Sequence, residues 1–249
     1  MAARNERLVE RIREIKADHP FWGYRRVWAH LNFIDGYSVN EKRALRLMQV
    51  HGLTVKPDTK LKAKRTSKPK PRPSRPNEWW GIDMTKVLVE RLGWVYIVIV
   101  LDWYTKKVVG YQAGLRSKSS DWLVALDMAV NQQFPDGVRD KGLNLMSDNG
   151  CQPTSVSFMK ACSTLGVHQA FTSYGNPKGN ADTERFMRTM KEECLWLTEW
   201  TSYNDLVKDL ENWIEYYNGQ YLHSALGYKP PRQFETEFNE SHNTLLVAA

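Results

Sequence analysis

A strongly basic, proline-rich segment divides this chain in two and limits what it can fold into. Residues 59–76 read TKLKAKRTSKPKPRPSRP, with eight basic side chains and no acidic one. The four prolines of this segment cannot donate backbone hydrogen bonds, and they favour an extended backbone. We therefore predict a semi-extended linker that joins one domain over residues 1–58 to the remainder of the chain.

The charge of this linker favours contact with a polyanion. Eight like charges repel one another unless phosphates neutralise them, so we interpret the segment as an arm that follows the DNA backbone. A solvated linker without a ligand is the alternative. The whole chain has a net charge of +7, yet residues 77–249 carry 16 basic and 21 acidic residues. The basic surplus therefore lies entirely in the first third of the chain.

Composition and short motifs exclude several classes of protein. With 249 residues, 42% of them hydrophobic and 25% charged, the chain is long enough for one or two globular domains and is not disordered. The longest apolar run, residues 94–101, is too short to cross a membrane, so we expect no membrane contact. Three cysteines without CxxC spacing favour a reducing cytoplasm, and the lack of a GxxxxGK loop argues against an NTPase.

The first domain is predicted to contain three short helices. Apolar residues at helical spacing place these helices at residues 6–16, 23–32 and 41–50, the last capped by Asn40. On the exposed side of the third helix lie Lys42, Arg43 and Arg46. This arrangement is typical of a helix-turn-helix module, whose later helix enters the major groove of DNA. It is equally compatible with a small helical domain that binds no DNA, because charged outer faces are common.

From residue 78 the hydrophobic periodicity changes to that of a mixed α/β domain. The predicted strands are residues 79–85, 94–102, 107–112, 143–147 and 168–172. The predicted helices are residues 120–131, 156–165, 181–195 and 203–217. The order β-β-β-α-β-α-β-α-α predicts helices layered on a sheet. We assign residues 77–200 to a catalytic core and residues 201–249 to a helical C-terminal extension.

Three acidic residues stand where a purely structural carboxylate is unexpected. Asp83 lies near the end of a predicted apolar strand, Asp148 follows another, and Glu184 opens a predicted helix. Carboxylates that converge from separate elements are suitable ligands for Mg²⁺. Each also has a plainer explanation, as a strand-end charge, a turn residue or a complement to a helix N-terminus. Asp102, at the end of the central strand, is a decoy of the same type.

Three sequence blocks resemble those of a known enzyme family. The blocks GIDMT at 81–85, SDNG at 147–150 and NADTERF at 180–186 are similar to the three catalytic blocks of retroviral-integrase-like DDE transposases. Asp148 and Glu184 have 35 residues between them, which is the spacing typical of that superfamily. Any single block is a weak signal, but their order along the chain makes the resemblance strong.

Two further blocks resemble bacterial insertion-sequence transposases in particular. GYRR at 23–26 is similar to the N-terminal helical module of these enzymes. YYN at 216–218, HSALGY at 223–228 and the following Pro-Pro pair are similar to their C-terminal block. The chain therefore resembles the second-frame product of bacterial two-frame insertion sequences over nearly its whole length.

The resemblance implies both a fold and a chemistry. The implied fold class is α/β, a ribonuclease-H-like mixed-sheet catalytic domain preceded by a small all-α helix-turn-helix-like domain. Asp83, Asp148 and Glu184 are then expected to be catalytic and to bind two Mg²⁺ or Mn²⁺ ions. The implied reaction is metal-dependent cleavage and strand transfer of insertion-sequence ends by phosphodiester transesterification.

The resemblance also implies which residues contact DNA beside the metal site. Lys191 matches a basic residue that the family places seven positions after the glutamate. Seven residues span about two helical turns, so Lys191 shares a helix face with Glu184, as does Arg188. We expect both cations to hold terminal DNA phosphates. Lys178 and Asn180, in the preceding loop, are further candidates for DNA contact.

The expected partners follow from the same resemblance, and two other functions remain open. We expect double-stranded DNA as element ends and target, a homo-multimer in a synaptic complex, translational fusion to a first-frame product, and a bacterial cytoplasmic location with nucleoid association. Zinc is not implied, because the scattered histidines have no ligand spacing. The alternatives are a ribonuclease-H-like nuclease that does not rejoin DNA, and a DNA-binding regulator or inhibitor of transposition with an inactive core.

Overall fold

The computed structural model describes residues 2–55, 71–172 and 177–247. Residues 59–70, which include most of the predicted basic linker, lie outside these ranges. The chain forms two compact units. The first comprises residues 1–65 and 222–229, and the second comprises residues 66–221 and 230–249.

The first unit contains the three predicted helices. They are α1 (Ala2–Asp18), α2 (Tyr24–Phe33) and α3 (Glu41–Val50). Asn40 caps α3 as expected, since its side chain accepts a hydrogen bond from the Lys42 amide at 2.8 Å. Apolar residues of all three helices form a buried core: Leu8, Val9, Ile12, Ile15, Val27, Leu31, Leu47 and Met48.

A short segment from far along the chain completes the first unit. The Tyr228 ring packs edge-on against Trp28 at 5.3 Å between centroids and lies 5.9 Å from the Phe33 ring. A bridge between His223 and Lys229 closes the segment into a turn. Sequence analysis assigned this segment to the C-terminal extension, whereas its aromatic contact is made with α2.

The second unit is built on a mixed five-stranded sheet. Its strands are β1 (Trp79–Val89), β2 (Gly93–Asp102), β3 (Val108–Gly114), β4 (Asn144–Ser147) and β5 (His168–Phe171). They lie in the order β3-β2-β1-β4-β5. The first three strands are antiparallel, and β4 runs parallel to both β1 and β5. This topology confirms the predicted antiparallel meander and the mixed sheet.

Helices cover both faces of this sheet. The helices are α4 (Ser119–Gln133), α5 (Val156–Leu165), α6 (Ala181–Met190), α7 (Tyr203–Gln220) and α8 (Pro231–Val247). Trp80 and Ile82 of β1 belong to a buried cluster with Leu126 of α4 and Phe158 of α5. Helix α6 packs against β1, and its residue Phe186 meets the Tyr217 ring of α7 at 4.9 Å. In the described residues, no helix is long and apolar enough to span a membrane.

Two predicted element boundaries were wrong. Asp83 is the fifth of the eleven residues of β1, because the pairing with β2 continues to Val89 and Gly93. The predicted helix over residues 181–195 ends at Met190 and continues as a π-helical turn, Lys191–Leu195. The turn forms because the Trp196 amide bonds to the Lys191 carbonyl, five residues back, at 2.8 Å.

The C-terminal extension contains a second helix that the periodicity did not locate. Pro231 occupies the first position of α8, where a missing N–H has no cost. Phe234 and Phe238, four residues apart, pack against the Tyr104 ring at 5.5 and 5.3 Å. Helix α8 has too few apolar side chains at helical spacing for the helix to be predicted from its sequence.

Candidate active site

The sheet brings Asp83, inside β1, near Asp148, which directly follows the neighbouring strand β4. β1 and β4 pair in parallel from Trp79 with Asn144 to Gly81 with Met146. When this register is extended by two residues, Asp83 lies beside Asp148. Alternate residues of a strand share a face, so both acids project from the same face as Gly81 and Met146. The sheet therefore brings the first two predicted residues together where β4 ends.

Gly81 allows α6 to approach this face of the sheet. A Cβ atom at Gly81 would lie 1.9 Å from Thr183 Oγ1 and 2.4 Å from Trp103 Nε1. Trp103 Nε1 donates a hydrogen bond to Thr183 Oγ1 at 2.9 Å, and both side chains are fully buried. Glu184 directly follows Thr183, so this contact holds the third predicted acid on the face that carries Asp83.

A second contact holds the first turn of α6. Lys106 Nζ lies 3.2 Å from Asp182 Oδ1, and the lysine also donates to the Trp103 carbonyl. Asn180, at the N-terminus of α6, is only 3% exposed, with Oδ1 2.9 Å from the Cβ position of Gly81. Asn180 therefore contributes to the packing of α6 against β1, and its contact with DNA stays a prediction.

The three acids and Lys191 share one electrostatic environment. Burial raises the pKa of Asp83 to about 6, although a hydrogen bond from the Met84 amide acts in the opposite direction. The charges of Asp148 and Glu184 raise this pKa further, and the charge of Lys191 lowers it. Partial burial also raises the pKa of Glu184. Negative charge is therefore concentrated at Asp83 without full compensation.

The donor set suits a hard divalent cation. Within the described ranges, no three His, Cys, Asp or Glu side chains are arranged to hold one ion. Burial is the main cause of the raised pKa of Asp83, and a cation bound there would favour the charged form of the carboxylate. Carboxylate oxygens are the ligands that Mg²⁺ prefers. Asp83, Asp148 and Glu184 therefore fit Mg²⁺ or Mn²⁺ in chemical character.

The predicted DNA-contacting residues near the acids differ in their environment. Lys191 is half-buried at the start of the π-helical turn, close enough to influence Asp83. Arg188 is exposed, and its Nε donates to Glu192 Oε1 at 2.7 Å. Lys178 lies in a short 3₁₀ turn, Pro177–Asn180, and its side chain is outside the described part of the structure.

The basic residues of α3 remain available on the first unit. Lys42 and Arg46 are exposed, whereas Arg43 is half-buried and donates to Asn5 Oδ1 at 2.7 Å. Two cations of this helix therefore face solvent, and the third also ties α3 to α1.

Asp102 has a structural environment, as the decoy interpretation predicted. It is 1% exposed, and its carboxylate accepts hydrogen bonds from the amides of Asn77, Tyr104 and Thr105 at 2.5–2.8 Å. The bonds from Tyr104 and Thr105 close the turn between β2 and β3, and the bond from Asn77 holds the segment that leads into β1. Burial raises the pKa of Asp102, and the three amides oppose that shift.

Sequence reasoning missed the residues that position Glu184. Gly81 stands inside a strand, and a glycine there is a recognised sign that something approaches the backbone closely. Trp103 and Thr183 are 80 residues apart and carry no motif that would link them. Their contact exists only because the fold brings the turn after β2 to the start of α6.

Comparison with known proteins covers both units. Two models of the integrase core domain match residues 73–177 and 165–231, and an HTH-like domain model matches residues 3–60. The chain is 28% identical to the transposase for insertion sequence element IS904 of Lactococcus lactis, over 92% of this chain and 94% of that protein. It is 25% identical to the transposase for insertion sequence element IS629 of Shigella sonnei, over 96% of this chain and 82% of that protein.

Among solved structures, the fold is similar to a chain of a viral complex. That structure is the simian T-cell lymphotropic virus intasome in complex with PP2A regulatory subunit B56 gamma. The TM-score is 0.56 at 18% identity, over 86% of this chain and 70% of that chain. This similarity supports the ribonuclease-H-like fold class and nothing further.

Proposed function

Since this chain belongs to the integrase-core family of bacterial insertion-sequence transposases, we propose that it cleaves insertion-sequence ends and joins them to target DNA. It is a DNA transposase and a DDE-type polynucleotidyl transferase. We assign the chemistry to Asp83, Asp148 and Glu184. The observation that supports this assignment best is the pKa of Asp83, raised to about 6 by burial and by the charges of the two other acids.

Members of the integrase-core family depend on a metal ion, and the three acids would hold two Mg²⁺ or Mn²⁺ ions in this chain. When bound, such ions activate an attacking oxygen and stabilise the leaving 3′ oxygen of the phosphodiester. Asp83 Oδ1 accepts the Met84 amide at 2.8 Å, and Asp148 Oδ1 accepts the Gly150 amide at 2.9 Å. These bonds orient both carboxylates and leave their Oδ2 atoms for a ligand, as far as the described residues show.

The remaining residues would bind and orient DNA. Lys191, beside Asp83, is suited to hold a phosphate next to the reacting bond, and Arg188 and Lys178 extend this contact along the DNA. The exposed cations of α3 suit the phosphates and base edges of a major groove. No covalent link between protein and DNA is required, because water or a DNA 3′-OH is the nucleophile.

The expected partners belong to the same proposal. Joining two DNA ends requires both to be held at once, which supports a homo-multimer in a synaptic complex. Fusion to a first-frame product would add further DNA-binding surface to that complex. We also propose that the protein works in the bacterial cytoplasm and associates with the nucleoid through bound DNA.

A strand-transfer assay tests the assignment. The substrates are duplexes that carry the terminal sequence of the encoding element, with a plasmid as target and Mg²⁺ in the buffer. We expect Asp83→Asn, Asp148→Asn and Glu184→Gln each to reduce joined product at least 100-fold. The matched controls are Asp136→Asn and Glu199→Gln, which change exposed acids in the same isosteric way and should retain activity.

The same assay separates the alternative functions. Cleaved ends without joined product would indicate a nuclease that cuts without rejoining. End binding without cleavage by the unmodified chain would indicate a regulator of transposition. Full activity of Asp148→Asn would overturn the assignment of the acids.

A further inference from the structure

A basic, serine-rich loop lies beside the candidate active site. Residues 115–118, between β3 and α4, read LRSK, and Ser119 and Ser120 open α4. Arg116 and Lys118 are exposed, and among the described residues neither side chain forms an ion pair. Several other cations of the second unit are neutralised locally, as in the pairs Lys106–Asp182, Lys107–Glu235, Arg188–Glu192 and Arg232–Glu215.

Hydrogen bonds attach this loop to β1 and to the turn that follows Asp148. Ser117 Oγ donates to Met84 Sδ at 2.8 Å, and Met84 directly follows Asp83 on the opposite face of β1. Gln152 Nε2 donates to the Ser117 carbonyl at 3.2 Å and to Ser117 Oγ at 2.8 Å. Gln152 lies four residues after Asp148. Ser117, the residue between the two cations, is therefore fixed between Met84 of β1 and Gln152 in the turn that follows Asp148.

Further contacts hold the loop without neutralising its charges. Ser119 Oγ lies 3.1 Å from Ser157 Oγ at the start of α5. Asp121 Oδ2 accepts the Lys118 backbone amide at 2.8 Å, so this acid is engaged by the backbone of the loop. Both exposed cations therefore stand on a backbone that is held from two sides.

We infer that Arg116 and Lys118 form a phosphate-binding subsite for the DNA backbone beside the scissile bond. The inference rests on the proposed function, which brings DNA to the three acids. Residues 77–249 carry more acidic than basic residues, so DNA that approaches the acids is repelled unless fixed cations offset that charge. Arginine and lysine on either side of a serine offer charge-assisted hydrogen bonds to neighbouring phosphate oxygens.

Equilibrium binding in EDTA tests this subsite without any catalysis. The protein carries Asp148→Asn, and the probes are a short duplex with the element's terminal sequence and an unrelated duplex as target DNA. We expect Arg116→Gln with Lys118→Gln to weaken binding of at least one probe about tenfold or more at ~0.1 M salt. The salt slope of log Kd should fall by about 1–2.

A matched double variant controls for the loss of charge. Lys141→Gln with Lys208→Gln removes two exposed cations that lie away from this loop, and it should bind both probes like the parent protein. Arg116→Lys with Lys118→Arg preserves the charge and should retain most of the affinity. Unchanged binding by the neutral loop variant, or equal loss in the control, would overturn the inference.

The two probes distinguish the source of the phosphates. Weaker binding of the terminal duplex alone assigns the subsite to the element end, and weaker binding of the unrelated duplex assigns it to the target. Loss of binding by the charge-preserving variant as well would show that the loop acts only through its shape, and would overturn the subsite. An active Asp148→Asn protein would overturn the proposed function while leaving this binding comparison unaffected.

Discussion

At the scale of single residues, Asp83 is held in a state that disfavours its charge. Burial raises its pKa from 3.8 to about 6, with Asp148 and Glu184 adding to the shift. A carboxylate arranged in this way lowers the stability of the folded protein, and a cation bound beside it would offset that loss. Residues whose charged form is unfavourable in the folded protein are typical of functional sites.

The sign of this shift gives a stability prediction. A carboxyl group whose pKa is raised in the folded state destabilises the folded protein increasingly as pH rises from about 4 to 6. This loss of folding free energy reaches its full value above about pH 6. Asp83→Asn should therefore stabilise the metal-free protein at pH 8, by up to about 3 kcal/mol. Near pH 4 the gain should nearly vanish.

Thermal unfolding in EDTA at pH 8 and pH 4 measures this effect. Asp136→Asn, at an exposed acid, should leave Tm unchanged at both pH values. An unchanged or lower Tm for Asp83→Asn at pH 8 would show that the carboxylate is not destabilising where it stands.

Gly81 provides a second prediction at the residue scale. Its missing Cβ leaves the space that Thr183 and Trp103 occupy, so Gly81→Ala should displace α6 and cost about 1–3 kcal/mol through overpacking. Activity should fall at least tenfold, because Glu184 moves with the helix. Gly114→Ala is the matched control, since the nearest atom to its Cβ position is 3.9 Å away. Chemical denaturation and strand-transfer assays of both variants test this prediction. Equal stability and equal activity of Gly81→Ala and Gly114→Ala would contradict the packing argument.

At the scale of elements, the first turn of α6 connects the fold to the chemistry. Trp103→Phe keeps a ring at this position but removes the donor to Thr183 Oγ1, which leaves a buried hydroxyl without that bond. We expect the Mg²⁺ concentration for half-maximal strand transfer to rise several-fold, while DNA binding in EDTA stays unchanged.

The control for this prediction is Trp196→Phe, because Trp196 is 63% exposed. Thr183→Ser should behave like the parent protein, since it preserves the acceptor. If Trp103→Phe reduced DNA binding and left the metal dependence unchanged, the contact would support the fold without positioning Glu184.

Local signals were sufficient to predict many elements from sequence. The helix over residues 41–50 and the helix over residues 156–165 have the predicted bounds, because a cap and an apolar stripe define each one. β1 and helix α8 were misjudged, since their extent depends on partners distant in sequence. The π-helical turn after α6 was missed because its local bond from the Trp196 amide to the Lys191 carbonyl leaves no sign in the hydrophobic pattern. β1 continues past Asp83 only because β2 pairs with it as far as Val89.

The candidate site was likewise predicted from the sequence only in part. The three acids were identified through short blocks of sequence, and the parallel register of β1 and β4 explains why the first two lie together. The support for Glu184 from Gly81, Trp103 and Thr183 was not foreseen. The burial of Asn180 was not foreseen either, because a loop position gives no sign that a side chain will be buried.

At the scale of the whole molecule, charge and chemistry are divided between parts of the chain. The first 76 residues carry the whole basic surplus, and the acidic remainder carries the three catalytic candidates. The helix-turn-helix-like unit also includes residues 222–229, joined to it by the Tyr228 contact with Trp28. Hydrophobic periodicity cannot predict this contact, because the two rings are 200 positions apart in the sequence.

The central claim is that three acids distant in sequence bind divalent cations in a single site. Mn²⁺ binding to the complex of the protein with element-end DNA, followed by electron paramagnetic resonance and corrected with a DNA-only blank, tests that claim most directly. We predict that Asp83→Asn, Asp148→Asn and Glu184→Gln each weaken Mn²⁺ binding at least tenfold, whereas Asp136→Asn does not. Mn²⁺ binding by Asp148→Asn that equals that of the parent protein would contradict the account.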